Sequence, residues 1–141
     1  MKIIACIDDD FGLMFNNRRQ SQDIEVKEDI KKLVGGHKLF MNTYSGKMFE
    51  NYGMAVSCSE NFLNDAGAQD YCFIENTDIA PFADLINEII LYWWNRKYPG
   101  DYKFDRNILD KMKLKNTEEF VGHSHEKILR EIYEKQETKD T

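Results

Sequence analysis

The chain has 141 residues, of which 42% are hydrophobic and 13% aromatic, and its formal net charge is −6. This length predicts one domain over residues 1–135 with its own core, followed by a frayed polar tail over 136–141. The acidic balance argues against nucleic-acid binding, which needs basic residues to neutralise phosphates. The longest apolar run, Ile89–Trp94, is too short to cross a bilayer, so no membrane association is expected.

Three cysteines, Cys6, Cys58 and Cys72, each lie in an apolar run and form no close pair in the sequence. An odd number of separated cysteines favours reduced thiols that pack as small apolar side chains. No secretion signal is recognisable, because the first apolar run is followed directly by aspartates. We therefore expect a cytoplasmic protein with three buried thiols.

Short apolar runs bounded by turn residues predict strands along the whole chain. In chain order they are Ile3–Ile7, Lys38–Thr43, Met54–Ser57, Tyr71–Ile74, Glu88–Trp94, Tyr98–Phe104, Lys111–Phe120 and Glu126–Tyr133. The first run is continuously apolar, as in a strand that is covered on both faces. The last two form a closing hairpin, although a helix over 126–135 is an alternative because its apolar positions also fit helical spacing.

Helical spacing and capping residues predict helices between these strands. The first helix begins after a cap at Ser21 or Asp23 and ends at Gly35–Gly36. A short helix capped by Ser45 and another over 77–86 follow. Strands that alternate with helices and then end in strands alone predict an α/β fold, with a mostly parallel central sheet and an antiparallel C-terminal edge.

Two segments at the ends of the chain resemble dihydrofolate reductases. The first strand, which breaks at Asp8–Asp10 and Gly12, is similar to the start of that family, and the stretch Gly100-Asp101-x-x-Phe104 is similar to its final hairpin. The resemblance implies a three-layer sandwich of dihydrofolate reductase type. It also implies a cleft between the first strand, the first helix and the second strand, in which that family transfers hydride from NADPH to dihydrofolate.

The resemblance further implies which residues meet a ligand. Asp23 lies near the position of the family's pterin-binding carboxylate and is the implied catalytic residue, with Glu25 and Asp29 as alternatives. A helix cap alone is the simpler interpretation of Asp23. The candidate ligand-binding residues are Ala5, Cys6, Met41, Asn42, Thr43 and Ser45 from the resemblance, together with Arg18 and Arg19 from their charge.

The cofactor motifs differ from the family pattern. Where the family has Met-Gly-Arg-x-Thr, this chain has Asn42 for the glycine, Thr43 for the arginine and Ser45 for the threonine. Threonine offers a phosphate one hydroxyl, whereas arginine offers a fixed cation with several donors. The family's Gly-Gly turn has no counterpart after the strand Glu88–Trp94, and a strand–helix unit is missing. The sequence therefore does not identify the cofactor, and we expect NADPH binding to be altered.

The pair Arg18 and Arg19 lies in a polar loop over 16–22. Beside a pocket, two arginines hold a phosphate or carboxylate; elsewhere they are solvated. The sequence thus predicts a protein that binds a pterin- or nucleotide-like small molecule, with a degenerate NADPH-dependent reductase activity left open. A non-enzymatic homo-oligomer is the alternative, because the missing unit would expose a sheet edge that self-association covers.

The pair His123 and His125 resembles half of a metal motif. His-x-His opens the His-x-His-x-Asp-His motif of metallo-β-lactamase-fold hydrolases, which include ribonuclease Z, but Lys127 and Ile128 stand at the Asp and His positions. Two histidines need a third ligand to hold zinc firmly. We expect no metal site and two histidines on a surface hairpin, and a ribonuclease that processes tRNA 3′ ends is the least supported alternative.

Overall fold

A computed structural model describes residues 1–50 and 52–136, so most of the predicted tail lies outside the described residues. The strands are β1 (Lys2–Ile7), β2 (Gly12–Phe15), β3 (Arg18–Arg19), β4 (Leu39–Met41), β5 (Val56–Cys58), β6 (Tyr71–Phe73), β7 (Glu88–Trp93), β8 (Tyr102–Lys103), β9 (Met112–Phe120) and β10 (Ile128–Lys135). The α-helices are α1 (Ile24–Val34), α2 (Thr43–Gly46) and α3 (Phe62–Asp65), and 3-10 helices span Lys47–Phe49, Ala80–Leu85 and Arg106–Lys111.

Seven strands form one sheet in the order β5-β4-β6-β1-β7-β10-β9. The first five strands in this order are parallel, and β10 and β9 are antiparallel to their neighbours. Strand β1 lies at the centre, where Ile4 is opposite Phe73 of β6 on one side and Ile90 of β7 on the other. The predicted fold class, a mostly parallel sheet with an antiparallel C-terminal edge, is confirmed.

Both faces of the central sheet are buried, as the continuous apolar run of β1 predicts. Successive side chains of a strand point to opposite faces. On one face Ile4 packs with Val26 and Ile30 of α1. On the other face Ile3 packs in a cluster that includes Leu13 of β2 and side chains of α3. The molecule therefore has three layers, with α1 and the 3-10 helix Lys47–Phe49 on one side and α3, the other two 3-10 helices and β2 on the other.

A second sheet of three short strands, β3-β2-β8, was not predicted. Asn16 and Asn17 join β2 to β3, and both have positive φ angles, 50° and 61°. Two-residue hairpin turns require this conformation, which asparagine adopts more readily than most residues. The prediction of a polar loop over 16–22 is therefore wrong in its first half, and the segment Tyr98–Phe104 contributes β8 to this small sheet instead of a strand to the large one.

Other predictions differ from the structure in detail. Residues 126–135 contain β10, which excludes the helical alternative, and the helix predicted over 77–86 is only a 3-10 helix. Cys72 is buried as predicted, but Cys6 is half-buried and Cys58 is exposed because β5 is an edge strand. Within the described ranges, no helix combines the length and the apolar character that crossing a membrane requires.

A charged network attaches α1 to the antiparallel edge of the sheet. Arg130 of β10 donates two hydrogen bonds to Asp29 of α1, at 3.0 and 2.8 Å, and one to Glu118 of β9, at 2.6 Å. The Tyr92 hydroxyl also donates to Asp29, at 2.6 Å. Burial, and after it the charge of Asp29, raises the pKa of Tyr92 well above its usual value, so the phenol remains a donor. This network holds the helix whose N-terminus enters the candidate site.

We expect Asp29→Ala to lower the free energy of unfolding by about 2 to 3 kcal/mol, because Arg130 and Tyr92 then lose an acceptor in a largely buried setting. Glu118→Ala is the matched control, since the Glu118 side chain is 60% exposed and its loss should cost less than about 1 kcal/mol. Urea unfolding measures both values. Equal, small losses would show that the network contributes little to the attachment of α1.

Candidate functional site

The candidate site lies at the carboxyl ends of the parallel strands around β1. In open α/β sheets, ligand crevices form outside these ends, at the point where the strand order reverses. Three buried polar residues stand here: Asp8 follows β1, Asn42 follows β4, and Glu75 lies just after β6. Buried polar groups need hydrogen-bond partners, so the partners of these three side chains define the site.

The Glu75 carboxylate lies between an arginine and a serine. Arg19 donates to it through Nε and Nη2, at 2.8 and 3.0 Å, and Ser45 donates through Oγ at 2.8 Å. The Arg19 guanidinium also lies over the ring of Tyr44, 4.7 Å from the ring centroid. The hydrogen bond with Glu75 raises the pKa of Arg19 further. Arg19 is therefore neutralised within the protein and is not a free anion-binding group.

The Asp8 carboxylate holds the loops that surround the cleft. Its Oδ1 accepts hydrogen bonds from the amides of Asp10 and Gly12, at 2.9 and 2.7 Å. Its Oδ2 accepts from Gln20 Nε2 at 3.2 Å and from the amide of Tyr98 at 3.1 Å. A Cβ atom at Gly12 would lie 2.5 Å from Gln20 Nε2, so this approach requires glycine. Asp8 thus fixes Gln20 and Tyr98, which both line one opening.

That opening is a cleft of about 550 Å³. Its lining residues are Phe15, Asn16, Arg18, Arg19, Gln20, Tyr98 and Pro99. Arg18 is exposed, and among residues 1–50 and 52–136 no carboxylate lies within ion-pair distance of it. The cleft therefore presents one uncompensated cation together with aromatic and amide groups.

Asp23 caps α1 and also binds the β9–β10 loop. Its backbone is extended, with φ −150° and ψ 132°, and its Oδ1 accepts from the Glu25 amide at 2.9 Å. The same carboxylate accepts from the amides of His123 and Ser124, each at 2.9 Å, and lies 2.8 Å from Nδ1 of His125. The capping interpretation is confirmed. These donors surround both oxygens and leave no free edge for the two hydrogen bonds of a pterin.

The proton between Asp23 and His125 can be assigned. Burial raises the pKa of Asp23, but hydrogen bonds from the His123 amide, the His125 side chain, and the Ser124 and Glu25 amides outweigh it and hold the pKa well below its usual range. An ionised carboxylate only accepts, so Nδ1 of His125 carries a proton. In a neutral imidazole the other nitrogen, Nε2, is then an acceptor.

Nε2 of His125 faces two hydroxyl groups. It lies 2.9 Å from Oγ of Ser21 and 3.1 Å from the hydroxyl of Tyr98. Ser21 and Tyr98 are both half-buried, whereas the side chains of His125 and Asp23 are only 2% and 0% exposed. A hydroxyl, an imidazole and a carboxylate are thus hydrogen-bonded in series. The hydroxyl is the group of the three that is most exposed to solvent.

Two further contacts fix the orientation of the imidazole. The indole of Trp94 stacks on His125 with ring centroids 4.6 Å apart and an interplanar angle of 23°. In the β9–β10 loop, a Cβ atom at Gly122 would lie 2.7 Å from Asp23 Oδ2 and 2.9 Å from the His125 carbonyl oxygen. Glycine therefore allows this loop to close over the carboxylate.

The structure brings three of the predicted ligand residues together at Glu75. Arg19 and Ser45 bond to its carboxylate directly, and Asn42 lies beside them as the N-cap of α2, where it accepts from the Ser45 amide at 2.9 Å. The prediction that Ser45 caps this helix is wrong, because the Asn42 side chain occupies the cap position and Ser45 lies inside the helix.

The other predicted ligand residues lie apart from this group. Ala5 and Met41 are fully buried within β1 and β4, and Thr43 is exposed at the start of α2. Cys6 is half-buried on β1, and burial, followed by the charge of Glu75, raises the pKa of its thiol well above the usual value. Cys6 is therefore a neutral thiol in this site.

The two histidines do not converge on a metal position. His123 is exposed, whereas His125 is buried and both of its ring nitrogens are within hydrogen-bonding distance of protein atoms. In the described part of the chain, no group of three His, Cys, Asp or Glu side chains could hold a metal ion. The prediction that both histidines lie on the surface is wrong for His125, because it packs between Trp94 and Asp23.

Sequence reasoning missed Glu75 and Tyr98 and treated Ser21 only as a possible helix cap. The partners His125 and Asp23 are 102 positions apart, so no local pattern connects them. The one usable signal was the presence of two capping candidates, Ser21 and Asp23, before the same helix. Only one residue can cap a helix, and the other is then available for a different contact.

Comparisons with known proteins identify the fold. No protein-family model matches the chain, and no curated protein matches it. The structure is similar to a dihydrofolate reductase from Enterococcus faecalis complexed with NADP(H) and RAB-propyl, with a TM-score of 0.68, 12% sequence identity and 96% of each chain covered. The chain has a dihydrofolate reductase-like fold. At this identity the likeness establishes the fold and not the activity.

The residues of this dihydrofolate reductase-like cleft do not fit NADPH. The junction between a central strand and the following helical turn lies after β6 and not after β7, and it carries the buried carboxylate of Glu75 instead of a glycine pair. The Glu75 carboxylate and the Arg19 guanidinium neutralise each other, so this junction offers a phosphate no free cation. Thr43, at the position of the family's arginine, adds no positive charge.

The Asp23 contacts predict a defined pH dependence. Because its pKa in the folded protein is depressed, the stability that Asp23 contributes is complete above its unfolded pKa of about 3.9 and is lost as the pH falls toward the lower folded value. We expect Asp23→Asn to be less stable than the wild type by about 2 kcal/mol at neutral pH, with the difference shrinking below about pH 4. Urea unfolding of both proteins at stepped pH measures this, and a difference that is independent of pH would contradict it.

Proposed function

We propose that this protein binds a small anionic molecule of the pterin or nucleotide type in the cleft of about 550 Å³. The observation that supports this best is the exposed Arg18, which has no carboxylate within ion-pair distance among the described residues. A guanidinium group pairs with a carboxylate or phosphate through two parallel hydrogen bonds. The cleft supplies the place where such a group would lie.

The other walls of the cleft suit a planar ring attached to the anion. Phe15 is 42% exposed, and the half-buried Tyr98 also lines the opening. Small-molecule sites combine apolar or aromatic walls with a few polar groups that fix orientation. The side-chain amide of Asn16 is a neutral group that could meet the polar edge of a heterocycle. Hydride transfer is not part of the proposal, because Glu75 replaces the glycine pair of the resembled family and Thr43 replaces its arginine.

A homo-oligomer without enzymatic activity is the second candidate. The feature in its favour is β9, a nine-residue edge strand that is mostly exposed. Exposed edge strands pair readily with other strands, but charged side chains oppose such pairing. Strand β9 carries Lys113, Lys115, Glu118 and Glu119, so the small-ligand proposal is favoured over edge pairing.

Thermal unfolding tests the ligand proposal with folate, AMP, inorganic phosphate and NADPH as separate probes. A ligand at a hundred times its dissociation constant adds about 2.7 kcal/mol of stability, which raises the melting temperature by several degrees. We expect folate or AMP to do so, with phosphate weaker and NADPH no better than AMP. Arg18→Ala should weaken binding by about ten- to a hundredfold.

Arg96→Ala is the matched control, because Arg96 is exposed and does not line the cleft. The control should keep the stabilisation that the wild type shows. The proposal is wrong if none of the probes stabilises the wild type, or if Arg18→Ala and Arg96→Ala lose the stabilisation equally, since the latter would indicate only nonspecific attraction to positive charge.

A further inference from the structure

Ser21, His125 and Asp23 stand in the order of a nucleophile, a base and an orienting carboxylate. The distance from Ser21 Oγ to His125 Nε2 is 2.9 Å, and the distance from His125 Nδ1 to Asp23 Oδ2 is 2.8 Å. A hydroxyl within hydrogen-bonding distance of a base that a third group orients is the general signature of an activated nucleophile. We propose that this protein hydrolyses carboxylic esters, with Ser21 as the nucleophile and His125 as the general base.

The burial of these groups suits that chemistry. His125 and Asp23 are enclosed, so the imidazole keeps the tautomer that the carboxylate imposes, and Trp94 prevents the ring from rotating. Ser21 is half-buried and follows Gln20, which lines the cleft. Ser21 is therefore partly open to solvent next to a cleft residue, while bulk water does not reach the Asp23–His125 hydrogen bond.

A purely structural role explains only part of this arrangement. The carboxylate of Asp23 already caps α1 and holds the β9–β10 loop through three backbone amides. Fixing the loop in this way needs no hydroxyl at Nε2 of His125, and a single hydroxyl would satisfy this buried nitrogen. The structure places two hydroxyls there, those of Ser21 and of the cleft residue Tyr98. They compete for the single lone pair of Nε2, so Tyr98 limits the time that Ser21 is activated.

Backbone amides beside the nucleophile are available to the developing oxyanion. In the part of the chain that the structure describes, the amides of Ser21 and Gln22 donate to no protein acceptor. Both lie in the loop between β3 and α1 and outside any strand or helix. The amide of the nucleophilic residue itself is one of the oxyanion donors in serine proteases. Donors of this kind contribute about 10² to 10³ in rate.

The reaction is balanced with water as the second reactant. Ser21 Oγ attacks the ester carbonyl carbon while its proton passes to His125 Nε2. The carbon–oxygen bond of the alcohol then breaks, and the leaving oxygen takes the proton from Nε2. Water, deprotonated by Nε2, attacks the acyl carbon; the bond between that carbon and Ser21 Oγ then breaks, Nε2 returns the proton to Oγ, and the carboxylic acid leaves. Asp23 acts through His125 and is a positioning residue, and no oxidant or metal is required.

The substrate class rests on the proposed function, because an ester that carries a carboxylate or phosphate would place that group at Arg18. The nucleophile itself does not depend on that proposal. A small uncharged fluorophosphonate reacts with a serine that a neighbouring base activates, losing fluoride and forming a covalent adduct. Labelling with it needs no cation in the cleft, so either proposal can fail without the other.

The experiment treats the full chain with the fluorophosphonate and follows the adduct by intact mass and by peptide mapping. We expect one adduct per chain, on Ser21, and turnover of p-nitrophenyl acetate that the adduct abolishes. Ser21→Ala should remain folded by circular dichroism, because its hydroxyl contacts only His125 among the described residues, and it should take up no label. Ser57→Ala, at an exposed serine on β5, is the matched control and should be labelled like the wild type.

Three more variants separate the roles of the neighbours. His125→Gln and Asp23→Asn should lower the labelling rate per folded molecule by about 10² to 10⁴. Tyr98→Phe should label at least as fast as the wild type, because it removes the competitor for Nε2. The proposal is overturned if folded wild type takes up no label on Ser21, if the label lies on Tyr98, or if His125→Gln is labelled at the wild-type rate.

Discussion

The site depends on one buried carboxylate. Asp23 accepts hydrogen bonds from the amide of Glu25 at the start of α1, from two amides of the β9–β10 loop and from His125. A helix cap ordinarily satisfies one or two donors of its own helix. Here the cap also joins the first helix to the last hairpin, and the ionised state that this requires decides which nitrogen of His125 is free. Without that carboxylate, the two amides of the loop after Gly122 would lose their hydrogen-bond acceptor.

A second buried carboxylate explains why the fold does not imply the chemistry of its structural relatives. Glu75 binds Arg19 and Ser45 at the carboxyl end of β6 and pairs with the charge of Arg19 there. Among the described residues, no carboxylate pairs with the neighbouring Arg18. One fold hosts many functions because the side chains at the strand ends can change while the layers stay the same. This chain keeps the layers of a dihydrofolate reductase-like protein and rearranges the charges of the cleft.

The sequence predicts the central sheet well and the site poorly, for physical reasons. Strand β1 follows from its short apolar run, because burial on both faces leaves a local pattern. The β2–β3 hairpin escaped prediction because its signal is only the two asparagines of the turn, and the burial of His125 escaped because it depends on a residue 102 positions away. Asp23 was singled out correctly as a helix cap, but nothing local shows that the same carboxylate binds a histidine.

Determining the tautomer of His125 is the most direct test of the Asp23–His125 pair. The chain has three histidines, so their ring nitrogens can be resolved in long-range proton–nitrogen correlation spectra recorded above neutral pH. We expect one ring with a proton fixed on Nδ1 and an unprotonated Nε2, and we expect Asp23→Asn to remove that signature. A ring with its proton on Nε2, or three rings that all average between tautomers as free imidazole does, would contradict the Asp23–His125 pair on which the site depends.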